Sequence, residues 1–197
     1  TGYPLRSVTC DENDAIWMAA QYVFPNCVVQ ICHVHFLENI RRQLKVRTYE
    51  NYVSFFAEMR QYIFDVPMLG KDRLEARIRW RSPRHQDDPL KIAVMQNIFQ
   101  SSEKLTAYVH AKAHLHIDCP RTTNLIESMN KQLNGRLKTI QGFESFHTAA
   151  RWLSAWILRK RLTPFTCCRG RFRKLNGTSS FELTRRGRTK VPNFFTL

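Results

Sequence analysis

Acidic residues are scarce in this chain. Its 197 residues include 31 lysines and arginines but only 16 aspartates and glutamates, leaving a formal charge of +15 and an isoelectric point near 10.0. Such a chain repels itself unless a polyanion neutralises it, so nucleic acid is the first partner to consider. Long apolar runs are missing too. No stretch approaches the roughly 18 residues that cross a bilayer, and Thr1-Gly2-Tyr3-Pro4 has neither the basic nor the apolar region of a secretory signal. A membrane or secreted protein is thereby disfavoured, and the expected location is the cytoplasm, on the nucleoid if the host is prokaryotic. Glycine is limited to seven residues, and neither a Gly-rich phosphate loop nor a nucleophile elbow is present. Internal repeats and low-complexity segments are absent as well.

Six cysteines, at positions 10, 27, 32, 119, 167 and 168, are too scattered for a stapled secreted scaffold and read as reduced and intracellular. With 43% hydrophobic residues, the length suffices for one sizeable domain or two small ones. The charge is unevenly spread. Residues 1 to 118 carry 15 basic and 13 acidic side chains, whereas residues 119 to 197 carry 16 and 3. Arg159, Lys160 and Arg161, then Arg169, Arg171, Arg173 and Lys174, then Arg185, Arg186, Arg188 and Lys190 alternate with Phe165, Phe172 and Phe181. That pattern suits either a surface that tracks phosphates or a solvated basic tail that binds any polyanion.

Leu5 to Cys10 reads as a short strand ending at Asp11, and Asp11 to Phe24 as a helix capped by Asp11 or Asn13, with Ile16, Met18, Ala19, Ala20 and Val23 as its apolar positions. Cys27 to Ile31 is a β-branched strand. The helix that follows carries Phe36, Leu37, Ile40 and Leu44 at helical spacing. Strand, helix, strand, helix points to an α/β core. Residues 48 to 117 turn helical, as in Tyr49, Tyr52, Val53, Phe56, Met59 and Ile63, with breaks at Pro67, Gly70, Ser82-Pro83 and Pro89. Beyond Pro120, one helix places Ile126, Met129, Leu133, Leu137 and Ile140 on a stripe. A second turns Phe146, Ala149, Ala150, Leu153, Trp156 and Ile157 toward a core.

Two carboxylates occupy positions where α/β proteins gather polar chemistry: Asp11 at the end of a strand and Glu127 in the first turn of a helix. Acidic residues so placed can hold Mg²⁺, which favours hard oxygen ligands, and paired ions of this kind serve phosphoryl transfer. Both have plainer readings. Asn124 to Glu127 fits a capping box, with Asn124 as the N-cap, and Asp11 with Glu12 and Asp14 suits a helix N-terminus. Spacing leaves the two roles open. Cys32-x-x-His35 and His116-x-x-Cys119 would complete a zinc tetrahedron only if the fold joined them, the alternative being small polar residues satisfied near the core.

Motifs in order narrow the choice. Ser7-Val8-Thr9-Cys10-Asp11, Val23-Phe24-Pro25-Asn26 and Val29-Gln30-Ile31-Cys32-His33-Val34-His35-Phe36-Leu37-Glu38-Asn39-Ile40 together resemble the segment around the second catalytic Asp of Mutator-like DDE transposases. Pro120-Arg121-Thr122-Thr123-Asn124-Leu125-Ile126-Glu127, Gly135-Arg136-Leu137-Lys138-Thr139-Ile140 and Gly142-Phe143 are similar to the segment around that family's catalytic Glu. Leu175-Asn176-Gly177, Phe181-Glu182-Leu183 and Pro192 resemble the tails of prokaryotic members.

The resemblance implies an RNase H-like catalytic core, truncated at its N-terminus and interrupted by an all-helical insertion, that cuts and joins DNA with two divalent ions, Mg²⁺ or Mn²⁺, and no covalent enzyme intermediate. It divides the chain into core at 1–47, insertion at 48–118, core at 119–162 and a basic tail at 163–197. Asp11 and Glu127 become the catalytic and metal-holding residues. Cys32 and His35 support the active-site region or the DNA, and Thr123 and Asn124 set the approach to Glu127. Arg121, Lys131, Arg136, Lys138, Arg159, Arg161, Arg169, Arg171 and Arg173 are expected on double-stranded DNA, at transposon ends and target, with a homodimer on paired ends as the implied assembly. One departure stands out. The family's first Asp precedes Asp11 on an earlier strand, and none of the ten residues before Asp11 is acidic. Little or no strand cleavage is therefore expected from this polypeptide alone. The alternative is a transposon-derived, non-catalytic DNA-binding protein.

Overall fold

Among the described residues, Ser-Val-Thr-Cys and the β-branched Val-Val-Gln-Ile form two strands, β1 (Ser7–Cys10) and β2 (Val28–Ile31). They pair in parallel, Ser7 opposite Val28 and Cys10 opposite Ile31, so both strands finish at the same edge. This computed structural model describes residues 5–64 and 70–184. Among them β2 is the sole strand partner of β1.

The crossover between the strands is helix α1 (Asp14–Val23). Of the two expected caps it uses Asn13, whose side chain accepts the Ala15 N–H at 3.0 Å. Its apolar positions do not reach a core: Ile16 is 46% exposed, Met18 63% and Val23 61%. A sheet of two strands has little surface for such a helix to cover.

Helix α2 (His33–Gln43) leaves β2 directly. A 3-10 turn at Glu50–Tyr52 leads into α3 (Val53–Phe64), and α4 (Gly70–Arg81) runs on into a second such turn at Ser82–His85. Helices α5 (Pro89–Gln100) and α6 (Ser102–Leu115) complete the series. The expected breaks at Gly70, Ser82-Pro83 and Pro89 fall at element ends, and Pro67 lies outside the described residues. Pro89 opens α5 where its missing N–H costs nothing, while Asp88 accepts from the N–H groups of Leu90 and Lys91. The break at Ser101 between α5 and α6 is not apparent from the sequence.

The core joins these parts. Phe36, Leu37 and Ile40 of α2 and Leu44 at its C-cap pack with Ile31 and with Phe55, Met59, Ile63, Leu74, Ile78, Val94, Met95, Ile98 and Leu105. Gln30 fastens α6 to β2 from inside: its fully buried amide donates to the carbonyls of Ile31 (2.7 Å) and Leu105 (3.0 Å) and accepts the Tyr108 N–H (2.9 Å). Residues 48–118 thus supply most of the apolar interior, and the protein is a predominantly helical α/β structure around a small parallel sheet.

The chain divides into two compact units, residues 1–131 and 132–197. Helix α7 (Asn124–Leu137) includes the division. In the second unit α8 (Phe146–Leu162) is capped by Ser145, whose hydroxyl accepts the Thr148 N–H, and a 3-10 turn at Gly170–Leu175 precedes α9 (Ser180–Thr184). The stripes expected to be buried on α7 and α8 are not: Met129, Leu133, Leu137, Ile140, Ala149, Ala150 and Trp156 are half-buried, while Ile126, Leu153, Ile157 and above all Phe146, at 89%, are exposed. Helical periodicity identifies which face is apolar but cannot supply the surface that covers it. No helix among the described residues is long and apolar enough to cross a membrane.

Candidate active site

Parallel pairing brings the ends of β1 and β2 together, and the chemistry-bearing residues follow those ends. The Cys32 N–H donates to the Cys10 carbonyl at 2.7 Å, extending the ladder by one step before α2 begins. Asp11 therefore emerges beside the first turn of α2, which carries His35. Two further bonds moor the segment before α7: the Thr9 hydroxyl donates to the Pro120 carbonyl at 2.5 Å, and the His33 N–H donates to the Arg121 carbonyl at 2.9 Å. A contact spanning 111 residues of sequence is made by the strand itself, and it delivers Glu127 to the same place.

His35 links the two acidic residues. Its Nδ1 lies 2.6 Å from Asp11 Oδ1, so Nδ1–H donates to the carboxylate, and its Nε2 lies 3.7 Å from Glu127 Oε1. Thr123 sits at the hub. Its hydroxyl is 3.3 Å from both Cys32 Sγ and His35 Nδ1 and donates to Glu127 Oε1, while its N–H donates to Cys32 Sγ at 3.4 Å. Cys32 is fully buried, whereas the Asp11 and Glu127 side chains are 55% and 46% exposed. Beneath them, burial and then the Asp11 charge push the Cys10 thiol above its ordinary value, and burial likewise raises Cys119.

The capping box does not form as the spacing suggests. The Glu127 N–H donates to the Thr123 carbonyl, which makes Thr123 the N-cap and puts Asn124 inside the helix. Glu127 is then one residue too far along to reach back in the usual way, and its carboxylate instead takes the Thr123 hydroxyl. The four-residue zinc tetrahedron does not assemble either. Among the described residues one cluster of three candidate metal ligands forms, Cys32, His35 and Glu127, and Asp11 adjoins it through His35. Cys119 turns toward Thr9, and His116 ends α6 in a left-handed conformation, exposed.

One supporting contact escapes the motif reading. Asn39 donates to the Glu12 carboxylate at 2.7 Å, holding the residue next to Asp11. The signal is its place four residues after His35, on the same face of α2.

The basic residues separate into kinds. The Arg121 guanidinium turns inward, donating to the Phe64 carbonyl at 3.3 Å and lying 5.5 Å from the Tyr108 ring. Lys131, Arg136, Lys138, Arg159, Arg169 and Arg173 are exposed, and Arg161 is exposed with its guanidinium 5.5 Å from the Phe181 ring. The side chain of Arg171, and Arg185, Arg186, Arg188 and Lys190, lie outside the described residues.

A family description, Transposase, Mutator family, matches residues 5–161. That span includes Asp11, Cys32, His35, Thr123 and Glu127, together with the helices between them. Neither a curated protein nor a solved structure matches the chain.

Proposed function

The chain belongs to the Mutator family of transposases, and from that premise we propose that Asp11 and Glu127 are carboxylates of a divalent-metal site for DNA strand cleavage and transfer. The observation that carries this reading is the convergence of both on His35 at the shared end of the strands. Their donor chemistry fits a hard cation: two exposed carboxylates leave room for water and substrate oxygens. Cys32 is a poor competitor for the ion, being buried and already engaged by the N–H and hydroxyl of Thr123. When bound, Mg²⁺ or Mn²⁺ supplies charge stabilisation to the phosphoryl group under attack. His35 orients Asp11, and Thr123 orients Glu127.

The fold we infer for the catalytic part is RNase H-like, with 1–47 and 119–162 as core, 48–118 as the insertion and 163–197 as a basic tail. In that arrangement a third carboxylate belongs on a strand beside the edge of β1 that no described strand pairs. The partner is double-stranded DNA, bound by exposed cations such as Lys131, Arg136, Lys138, Arg159, Arg169 and Arg173, and two copies act on paired ends.

Plasmid nicking in Mg²⁺ or Mn²⁺ tests the reading. Residues 1–197 alone should bind duplex DNA and nick it little, whereas a nicking-competent longer product should lose activity on Asp11→Asn or Glu127→Gln. Unchanged nicking by those variants would remove the two carboxylates from the mechanism. Nicking by the 197-residue polypeptide that Glu127→Gln abolishes would instead overturn its expected inactivity.

A further inference from the structure

We propose that Trp80, with Arg73, Arg77 and Arg84, forms a platform on which an unpaired DNA base stacks. The inference rests on the DNA-binding reading above and deepens it, by assigning to the helical segment a role in holding single-stranded DNA.

Exposure singles out Trp80. The other three tryptophans, Trp17, Trp152 and Trp156, are half-buried, but Trp80 is 63% exposed near the end of α4. Its helix has apolar work elsewhere, with Leu74 and Ile78 fully committed to the core. An indole left in water forgoes the burial that normally justifies so large a side chain, and an exposed aromatic with a cationic surround is a feature of surfaces that bind a π-face.

The arginines of α4 and the turn after it sort in the same direction. Arg79 and Arg81 are tied to carboxylates, lying 3.5 Å from Glu75 and 2.8 Å from Glu58. Among the described residues, Arg73 and Arg84 have no carboxylate partner, and Arg77 lies 5.5 Å from the Tyr62 ring. Positions 73, 77 and 80 fall on one stripe of α4, and Arg84 returns to it from the turn that follows, so these cations share a face with the tryptophan. Arg84 comes closest, its guanidinium over the Trp80 ring at 4.3 Å from the ring centre, a contact that holds the indole from one face and leaves a base the other.

Flat aromatic surface plus guanidinium charge selects the ligand. Bases within a duplex have their faces covered by their neighbours, so only an unpaired base can lie on Trp80, while the arginines take the adjoining phosphates. A second copy of this chain would oppose like charges across the stripe. Strand cleavage frees DNA ends whose bases unstack at low cost, which is where such a platform acts.

The test uses the full 197-residue chain and fluorescence anisotropy at fixed salt, with a blunt duplex and the same duplex bearing an unpaired thymine overhang. Wild-type protein should prefer the overhang. Trp80→Ala should weaken overhang binding by about tenfold and leave the blunt duplex unchanged, while Trp80→Phe, which keeps a ring, should retain most of the preference. Arg84→Gln should weaken both DNAs. Overhang affinity unchanged in Trp80→Ala, or an equal loss on both DNAs, overturns the platform alone. Wild-type protein that binds neither DNA overturns the platform and the DNA-binding reading together.

Discussion

His35 Nδ1 lies 2.6 Å from Asp11 Oδ1, a hydrogen bond between the first turn of a helix and the residue that leaves a neighbouring strand. It fixes the ring so that Nε2 faces Glu127. Second partners of this kind orient ligands, and losing one costs about 10- to 100-fold in metal affinity. His35→Ala is therefore expected to weaken Mn²⁺ binding by at least about tenfold, measured by calorimetric titration, with Asp11→Asn weakening it further. Equal affinity for wild type and His35→Ala would sink the positioning role.

Gln30 is the buried joint between β2 and α6, and both ends of its amide are used. Gln30→Leu keeps the volume but takes the side-chain donor from the Ile31 carbonyl and the side-chain acceptor from the Tyr108 N–H, while the Leu105 carbonyl keeps its bond from His33 Nε2. A loss of about 2–3 kcal/mol in urea unfolding is expected. A loss below about 0.5 kcal/mol would show that the two backbone groups find other partners.

Burial pushes His33 and His85 below the ordinary histidine value of 6.5. His33 Nε2 donates to the Leu105 carbonyl at 2.8 Å, and its Nδ1 has no partner among the described residues, so a second proton finds no acceptor in them. The unfolded chain takes up protons first as pH falls. Stability from these groups is thus complete above about pH 6.5 and is lost as pH drops toward the folded values, by at most about 1.4 kcal/mol per pH unit per histidine. Melting temperatures between about pH 8 and 5 should decline on the acid side. The decline should flatten in His33→Gln, His85→Gln, and a slope identical to wild type would assign it to other groups.

Counterion release makes DNA affinity depend on salt with a slope of about 0.9 per phosphate contact. Changing Arg136, Lys138 and Arg159 to Gln should reduce the slope of log affinity against log salt by up to about 2.7. Filter binding across a salt series reads it directly. An unchanged slope would place the phosphate contacts on other cations.

Much of the local structure is legible along the chain. β-branched Val28-Val29 marks a strand, Asn13 a helix cap, Pro89 a helix start, and Phe36-Leu37-Ile40-Leu44 a buried face, because each depends on residues within a turn or two. The fate of apolar faces is less legible. Ile16 and Phe146 carry the same hydrophobic signal as Ile40, yet one helix meets a packed interior and the others do not. Periodicity describes a face, and only a neighbouring element can bury it.

The same division holds at the candidate site. The sequence by itself determined the carboxylates, the Cys32-x-x-His35 spacing, the helix that begins near Asn124 and the basic excess, since these are matters of residue type and local order. Only the tertiary structure decided that His35 bonds Asp11 while facing Glu127, that Thr123 rather than Asn124 caps α7, and that His116 and Cys119 stand apart from Cys32. Those relations span up to 116 residues and depend on the parallel register of β1 and β2 and on the bonds from Thr9 to Pro120 and from His33 to Arg121. Chain order carries no distance information at that range; the strand ends and the two moorings create it.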